Sequence, residues 1–116
     1  MVNLNFEQLA DQYYKEGNWF EAEKLYLRVL SFDKQNVNAM YKLAYINIGK
    51  LNYAASEMLL ENALKVYPGL DILKLLAYVK EKLFKFYDAL VMYEKVLELE
   101  PTAELFEIVC NLYIIL

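Results

Sequence analysis

Ser31, Ser56, Thr102, Cys110 and the tyrosines are the side chains of this chain that could attack a substrate, and each would need a base to take its proton. Histidine, the commonest such base and the commonest metal ligand, does not occur among the 116 residues. None of these nucleophiles lies in a recognisable catalytic motif. Carboxylates are plentiful, but Glu57 and Glu61, like Glu94 and Glu98, repeat at a four-residue step that places them on helix faces expected to be solvated. Gly17, Gly49 and Gly69 stand singly, so no glycine-rich phosphate loop is present. The expectation is no catalysis, no cofactor and no metal.

Composition narrows the remaining choices. Apolar residues make up 59% and aromatic residues 16%, more than ordinary domains carry, which argues for a real core and against disorder. The formal net charge is −4. Eleven lysines and a lone arginine, Arg28, supply the positive charge, a balance that speaks against nucleic-acid binding. One cysteine excludes an intramolecular disulfide framework. The first residues, MVNLNFEQLADQYYKEG, lack the basic and apolar regions of a secretory signal, and no apolar run reaches the roughly 18 residues of a membrane span. A soluble, cytoplasmic protein is expected.

The stretch from Tyr13 to Asn36 shows what the elements are. It reads as the end of one helix, a tight turn at Gly17-Asn18 and a second helix whose apolar positions Trp19, Ala22, Leu25, Tyr26, Val29 and Leu30 keep a helical period. Asn18, with Glu21 three residues on, is expected to form a capping box. Ala22, Tyr26 and Val29 return 34 residues later as Ser56, Leu60 and Ala63, and 33 residues after that as Ala89, Tyr93 and Val96. The preceding helix repeats too: Phe6, Leu9, Ala10 and Tyr13, then Met40, Leu43, Ala44 and Asn47, then Leu73, Leu76, Ala77 and Lys80, and a partial copy at Phe106, Val109, Cys110 and Tyr113. Cys110 is thus expected to be a packed small residue. Helix pairs recurring at this period build solenoids.

The chain resembles the tetratricopeptide repeat family, whose pattern runs W-x₂-L-G-x₂-Y, then A-x₃-F, then P. Here F-x₂-L-A-x₂-Y spans Phe6 to Tyr13, A-x₃-Y spans Ala22 to Tyr26, and Pro68 and Pro101 end two of the pairs. Asn47 and Lys80 stand where the first copy has Tyr13, and Ser56 stands where it has Ala22. The fold class expected is all-α, a right-handed α-solenoid of antiparallel helix pairs: three units at about 3–36, 37–69 and 70–102, plus one helix at 102–116, in a single domain. Helices are expected at 4–16, 20–33, 37–49, 53–67, 70–83, 86–99 and 102–115, with Asn18, Asn36, Asn52 and Thr102 as caps.

In the family, the first helices of the pairs line a concave groove that takes peptide segments. That resemblance assigns Glu7, Asp11, Tyr14, Asn38, Tyr41, Tyr45, Ile48, Asp71, Lys74, Tyr78 and Glu81 to a partner-binding groove, and amphipathic tyrosines suit a recognition surface. The family's chaperone-binding branch grips a terminal carboxylate with lysine, asparagine and arginine. The matching positions here carry Glu7, Asp11, Lys42, Asp71 and Leu75, and the acids would repel that ligand. A protein or peptide partner with apolar side chains and some positive charge is expected instead.

The last helix, TAELFEIVCNLYIIL, spreads Leu112, Ile114, Ile115 and Leu116 around more than one face, whereas solenoids end in a polar-faced cap. Either the chain is a piece of a longer repeat protein, or this surface meets a partner or a second copy. Self-association through these four residues is the alternative function, a structural one.

Overall fold

Among the described residues, seven helices follow one another: α1 (Val2–Lys15), α2 (Trp19–Phe32), α3 (Val37–Gly49), α4 (Tyr53–Val66), α5 (Leu70–Lys82), α6 (Phe86–Leu99) and α7 (Ala103–Ile115). This is a computed structural model; it describes residues 2–116, with side chains from Phe6 onward. Short polar side chains open three of the helices. The side-chain oxygens of Asn36, Asn52 and Thr102 accept from the backbone N–H groups of Ala39, Ala55 and Leu105 at 2.9, 3.4 and 3.2 Å. The capping box expected at Asn18 is not formed. The Asn18 side chain makes no cap bond, and Glu21 turns to Lys24 at 3.9 Å. The Asn18 backbone does the work instead, its N–H donating to Tyr13 and its carbonyl accepting from Ala22.

The turn inside each helix pair needs one residue in the left-handed region. Gly17 takes it at φ 77°, which costs glycine nothing. Leu51 and Phe84 occupy the equivalent turns at φ 62°, a conformation that L residues with a Cβ rarely adopt.

Small residues set the approach of paired helices. Ala10, Ala44 and Ala77 on the first helices, and Ala22, Ser56 and Ala89 on the second, are all fully buried. Ser56 is tolerated there because its hydroxyl donates to the Ala44 carbonyl at 2.8 Å. Tyr26, Leu60 and Tyr93 fill the space between, as expected from the repeat. Three apolar clusters result, and Leu30, Leu59 and Met92 each pack against two of them, so the core is continuous along the stack. All the extensive helix contacts join consecutive helices, and the Cα trace measures 48 × 25 × 22 Å.

Two polar residues replace the first copy's Tyr13 without opening the core. Asn47 donates to the Leu43 carbonyl at 3.0 Å. Lys80 reaches Glu57 at 2.6 Å and Glu61 at 2.9 Å. The solvated face expected for Glu57 is therefore wrong: its side chain is mostly buried and also accepts from Lys85 at 2.8 Å.

Other sequence expectations fail at the ends of the stack. Leu9 and Trp19 are about half exposed. Phe106 and Cys110 are exposed rather than packed, and Tyr113 is exposed as well, although its hydroxyl donates to Glu94 of α6 at 2.5 Å. Leu112 departs in the opposite sense. It is 1% exposed and packs with Leu90, Tyr93, Leu105 and Val109, so it belongs to the α6–α7 core and not to the outward face with Ile114, Ile115 and Leu116.

Candidate partner-binding groove

The residues expected to line a groove lie on α1, α3 and α5, and their surroundings divide into three zones. At the α1 end, the acids are engaged internally. Glu7 accepts from Asn36 and Asn38, both at 2.9 Å. Asp11 accepts from the Tyr26 hydroxyl, from Asn38 at 3.3 Å and from Lys42 at 3.2 Å. Partial burial pushes the Asp11 carboxyl up, but the hydrogen bonds from Tyr26, Lys42 and Asn38 outweigh it and hold the group below its ordinary value. These carboxylates thus bind the first pair to α3 and are not free ligands for a partner. Sequence alone gave no sign of that, since Tyr26 and Asp11 are 15 residues apart.

The second zone is apolar. Trp19, Tyr45, Ile46, Ile48, Leu75 and Tyr78, with Gly49 and Lys50 at the end of α3, surround a depression of about 490 Å³. Tyr45, Ile48 and Tyr78 were expected here; Trp19 and Leu75 join them. Trp19 is placed by Tyr14, whose ring meets the indole edge-on at 5.1 Å between centroids and Tyr26 in the same way at 6.3 Å. The Tyr14 ring also lies under the Lys42 ammonium at 5.2 Å. Tyr14 therefore supports the depression without lining it. The signal that could have found Trp19 is its place directly after the turn that Gly17 forces.

A third zone lies one to two helical turns along the same cleft, where Asn38, Tyr41, Tyr67 and Asp71 border a second depression of about 460 Å³. Lys74 and Glu81 are turned to neighbouring helices instead. Lys74 pairs with Glu100 at 2.5 Å, and Glu81 accepts weakly from the Tyr93 hydroxyl at 3.4 Å. Among the described residues no three histidine, cysteine or acidic side chains gather as a metal site, and no helix is long and apolar enough to cross a membrane.

The arrangement of paired helices has close counterparts among solved structures. The first repeat domain of Spaghetti (RPAP3), solved with the HSP90 peptide SRMEEVD, superposes with a TM-score of 0.83 at 22% identity, over 96% of this chain and 90% of that one. The N-terminal domain of stress-induced protein-1 from C. elegans gives 0.80 at 16% identity, over 97% and 94%. MamA gives 0.86 at 18% identity, over 96% of this chain and 62% of the longer MamA chain. The chain folds as a tetratricopeptide repeat domain. No family model and no curated protein matches its sequence, so the likeness rests on shape. It is the all-α helical-repeat solenoid that the repeat period implied.

Proposed function

We propose that the protein is a non-catalytic scaffold that binds a peptide segment or partner protein along the concave face of α1, α3 and α5. The observation that carries this reading is the apolar depression between Tyr45 and Tyr78: large amphipathic rings, half exposed, around a space that fits one or two side chains. Repeat domains of the same shape have been solved with HSP90 and HSP70 peptides, which supports a peptide ligand in general. The acidic chaperone tail itself suits this groove poorly. Glu7 and Asp11 stand where the family's clamp has ligands for the carboxylate, and Lys42 is already paired with Asp11. A segment with apolar side chains and some positive charge fits better. The test is selection of random dodecapeptides displayed on phage against the intact chain. Enriched peptides should lose about tenfold or more of their affinity for Tyr45→Ala and Tyr78→Ala, as expected of aromatic anchors. Binding unaltered in both variants would sink the assignment.

A second reading, self-association through α7, is favoured by the exposed run of Ile114, Ile115 and Leu116 beside Phe106 and Tyr113. Light scattering should then give a mass that rises with concentration in the wild type and not in Ile115→Glu. A constant monomer mass at high concentration argues against it.

A further inference from the structure

We infer that the depression bordered by Tyr41, Tyr67 and Asp71 is a subsite for an arginine side chain of the bound peptide. This rests on the groove reading above and specifies what one part of the groove selects. Three observations meet there. Asp71 is exposed in the first turn of α5 and, among the described residues, makes no ion pair. Lys74, one turn along α5, spends its hydrogen bond on Glu100 at 2.5 Å, although its charge is still felt at Asp71 and Tyr41. The Tyr41 ring borders the same depression as Asp71, and burial and then the Asp71 charge hold its hydroxyl above its ordinary pKa.

The third observation concerns Tyr67. Gly69 has ordinary backbone angles, φ −80° and ψ 150°, that any residue could adopt. A Cβ added there would nevertheless lie 2.5 Å from Cε2 and 2.9 Å from Cδ2 of the Tyr67 ring. Glycine at 69 is needed for the ring and not for the backbone. It lets an exposed tyrosine fold back over the loop and present itself at the edge of the cleft, in a chain with only two other glycines.

Two tyrosines and an unpaired carboxylate around one depression form the chemistry that takes a guanidinium. The plane stacks on aromatic rings while its N–H groups fork onto the carboxylate. Lysine would keep the charge but lose the stacking and the fork. An acidic side chain would be repelled. The neighbouring apolar depression then sets a spacing. Tyr41 to Tyr45 and Asp71 to Leu75 are four residues, while Tyr41 to Ile48 and Asp71 to Tyr78 are seven, or roughly 6–11 Å along the helices. An extended peptide covers that distance in about two or three residues. The preferred ligand therefore carries an arginine two or three positions from a large apolar residue.

The same phage selection provides the test, followed by fluorescence polarisation with a synthetic version of the best-enriched dodecapeptide and its Arg→Lys, Arg→Ala and Arg→Glu forms. The expected result is enrichment of arginine at that spacing, with binding weakened about tenfold by Asp71→Asn and by Tyr67→Ala in the protein, the size of one charge-assisted contact. Asp71→Lys should exchange the preference, favouring the Glu peptide over the Arg peptide. Gly69→Ala, which displaces the ring and leaves Asp71 in place, should weaken the Arg peptide more than the Lys peptide. Unchanged melting of the Asp71 and Tyr67 variants, followed by circular dichroism, separates these effects from unfolding. Peptides that need Tyr45 and Tyr78 but show no arginine, and ignore Asp71 and Tyr67, would overturn the subsite and leave the groove standing. Failure to enrich any peptide would overturn both. Equal affinity for arginine and lysine would overturn the guanidinium assignment.

Discussion

Lys80 places its ammonium 2.6 Å from a carboxylate oxygen of Glu57, in a side chain only 7% exposed, at the position where the first repeat has an aromatic ring. Taking such a charge from water costs several kcal/mol, and the pair with Glu57 and Glu61 offsets that cost. Removing one partner leaves the other's charge in a partly buried place, whereas removing both leaves no charge there to desolvate. Glu57→Gln and Lys80→Met are each expected to lower stability by about 1–3 kcal/mol. The double variant Glu57→Gln/Lys80→Met should lose less than the sum of the two. Urea titrations followed by circular dichroism compare the three. A double variant whose loss equals the sum would show that the two side chains are not coupled.

Acid should act through Glu57 and Asp11. For both, burial raises the pKa, and the hydrogen bonds from Lys80 and Lys85, or from Tyr26, Lys42 and Asn38, more than reverse it. Their folded values lie below the ordinary 4.5 and 3.8. The stabilisation is thus complete above those ordinary values and is lost as pH falls through the lower folded ones. The melting midpoint should be level near neutrality and fall steadily below pH 4.5, the ordinary value for Glu57. Glu57→Gln and Asp11→Asn should each flatten that acid limb.

At the other end of the scale, Tyr26 and Tyr93 are both held above the ordinary tyrosine value, first by burial and then by the carboxylates of Asp11 and Glu81. The unfolded chain ionises these rings from about their ordinary 10.0, so their contribution is present below that pH and declines above it. Tyr26→Phe should cost about 1–2 kcal/mol at neutral pH through the lost bond to Asp11, and should make the alkaline decline shallower. Tyr26→Ala should cost roughly 3–5 kcal/mol, the size of a large aromatic truncation. Thermal melts across a pH series read both effects.

The turns offer a gain in stability. Leu51 is 72% exposed, so its side chain gains little burial to offset its left-handed backbone. Leu51→Gly should raise stability by about 0.5–1 kcal/mol. Phe84→Gly should gain less, because the Phe84 ring meets Phe86 edge-on at 5.9 Å and that contact is lost. Gly17→Ala, at φ 77°, should cost about 1 kcal/mol. Equal gains for Leu51 and Phe84 would show that the aromatic pair contributes nothing.

The repeat was legible because its determinants are local. Ala10, Ala22, Tyr26 and their counterparts recur at one period, and a helix pair buries the same positions each time. Helix limits followed from Asn36, Asn52, Thr102 and the prolines. What escaped the pattern depends on partners distant in the chain. Nothing around Glu57 announces that Lys80 will reach it from α5, and nothing around Glu7 and Asp11 announces Asn36, Asn38 and Lys42. The groove tyrosines separated in the same way. Tyr45 and Tyr78 border the apolar depression and Tyr41 the acidic one, whereas Tyr14 supports Trp19 from behind. Tyr67 belongs to no repeated position, and it borders the depression in a place that the missing side chain of Gly69 leaves open.

Because extensive contacts run only from each helix to the next, no long loop has to close before the core begins to form. Such a chain has low contact order and should fold on the microsecond-to-millisecond scale of helical proteins. The same topology makes opening progressive. The outer helices α1 and α7 each pack extensively against one helix only, so they should come loose before α3, α4 and α5 do, and backbone amides should exchange with deuterium fastest at the two ends and slowest in the middle. A peptide held between α3 and α5 would then sit on the last part of the molecule to melt.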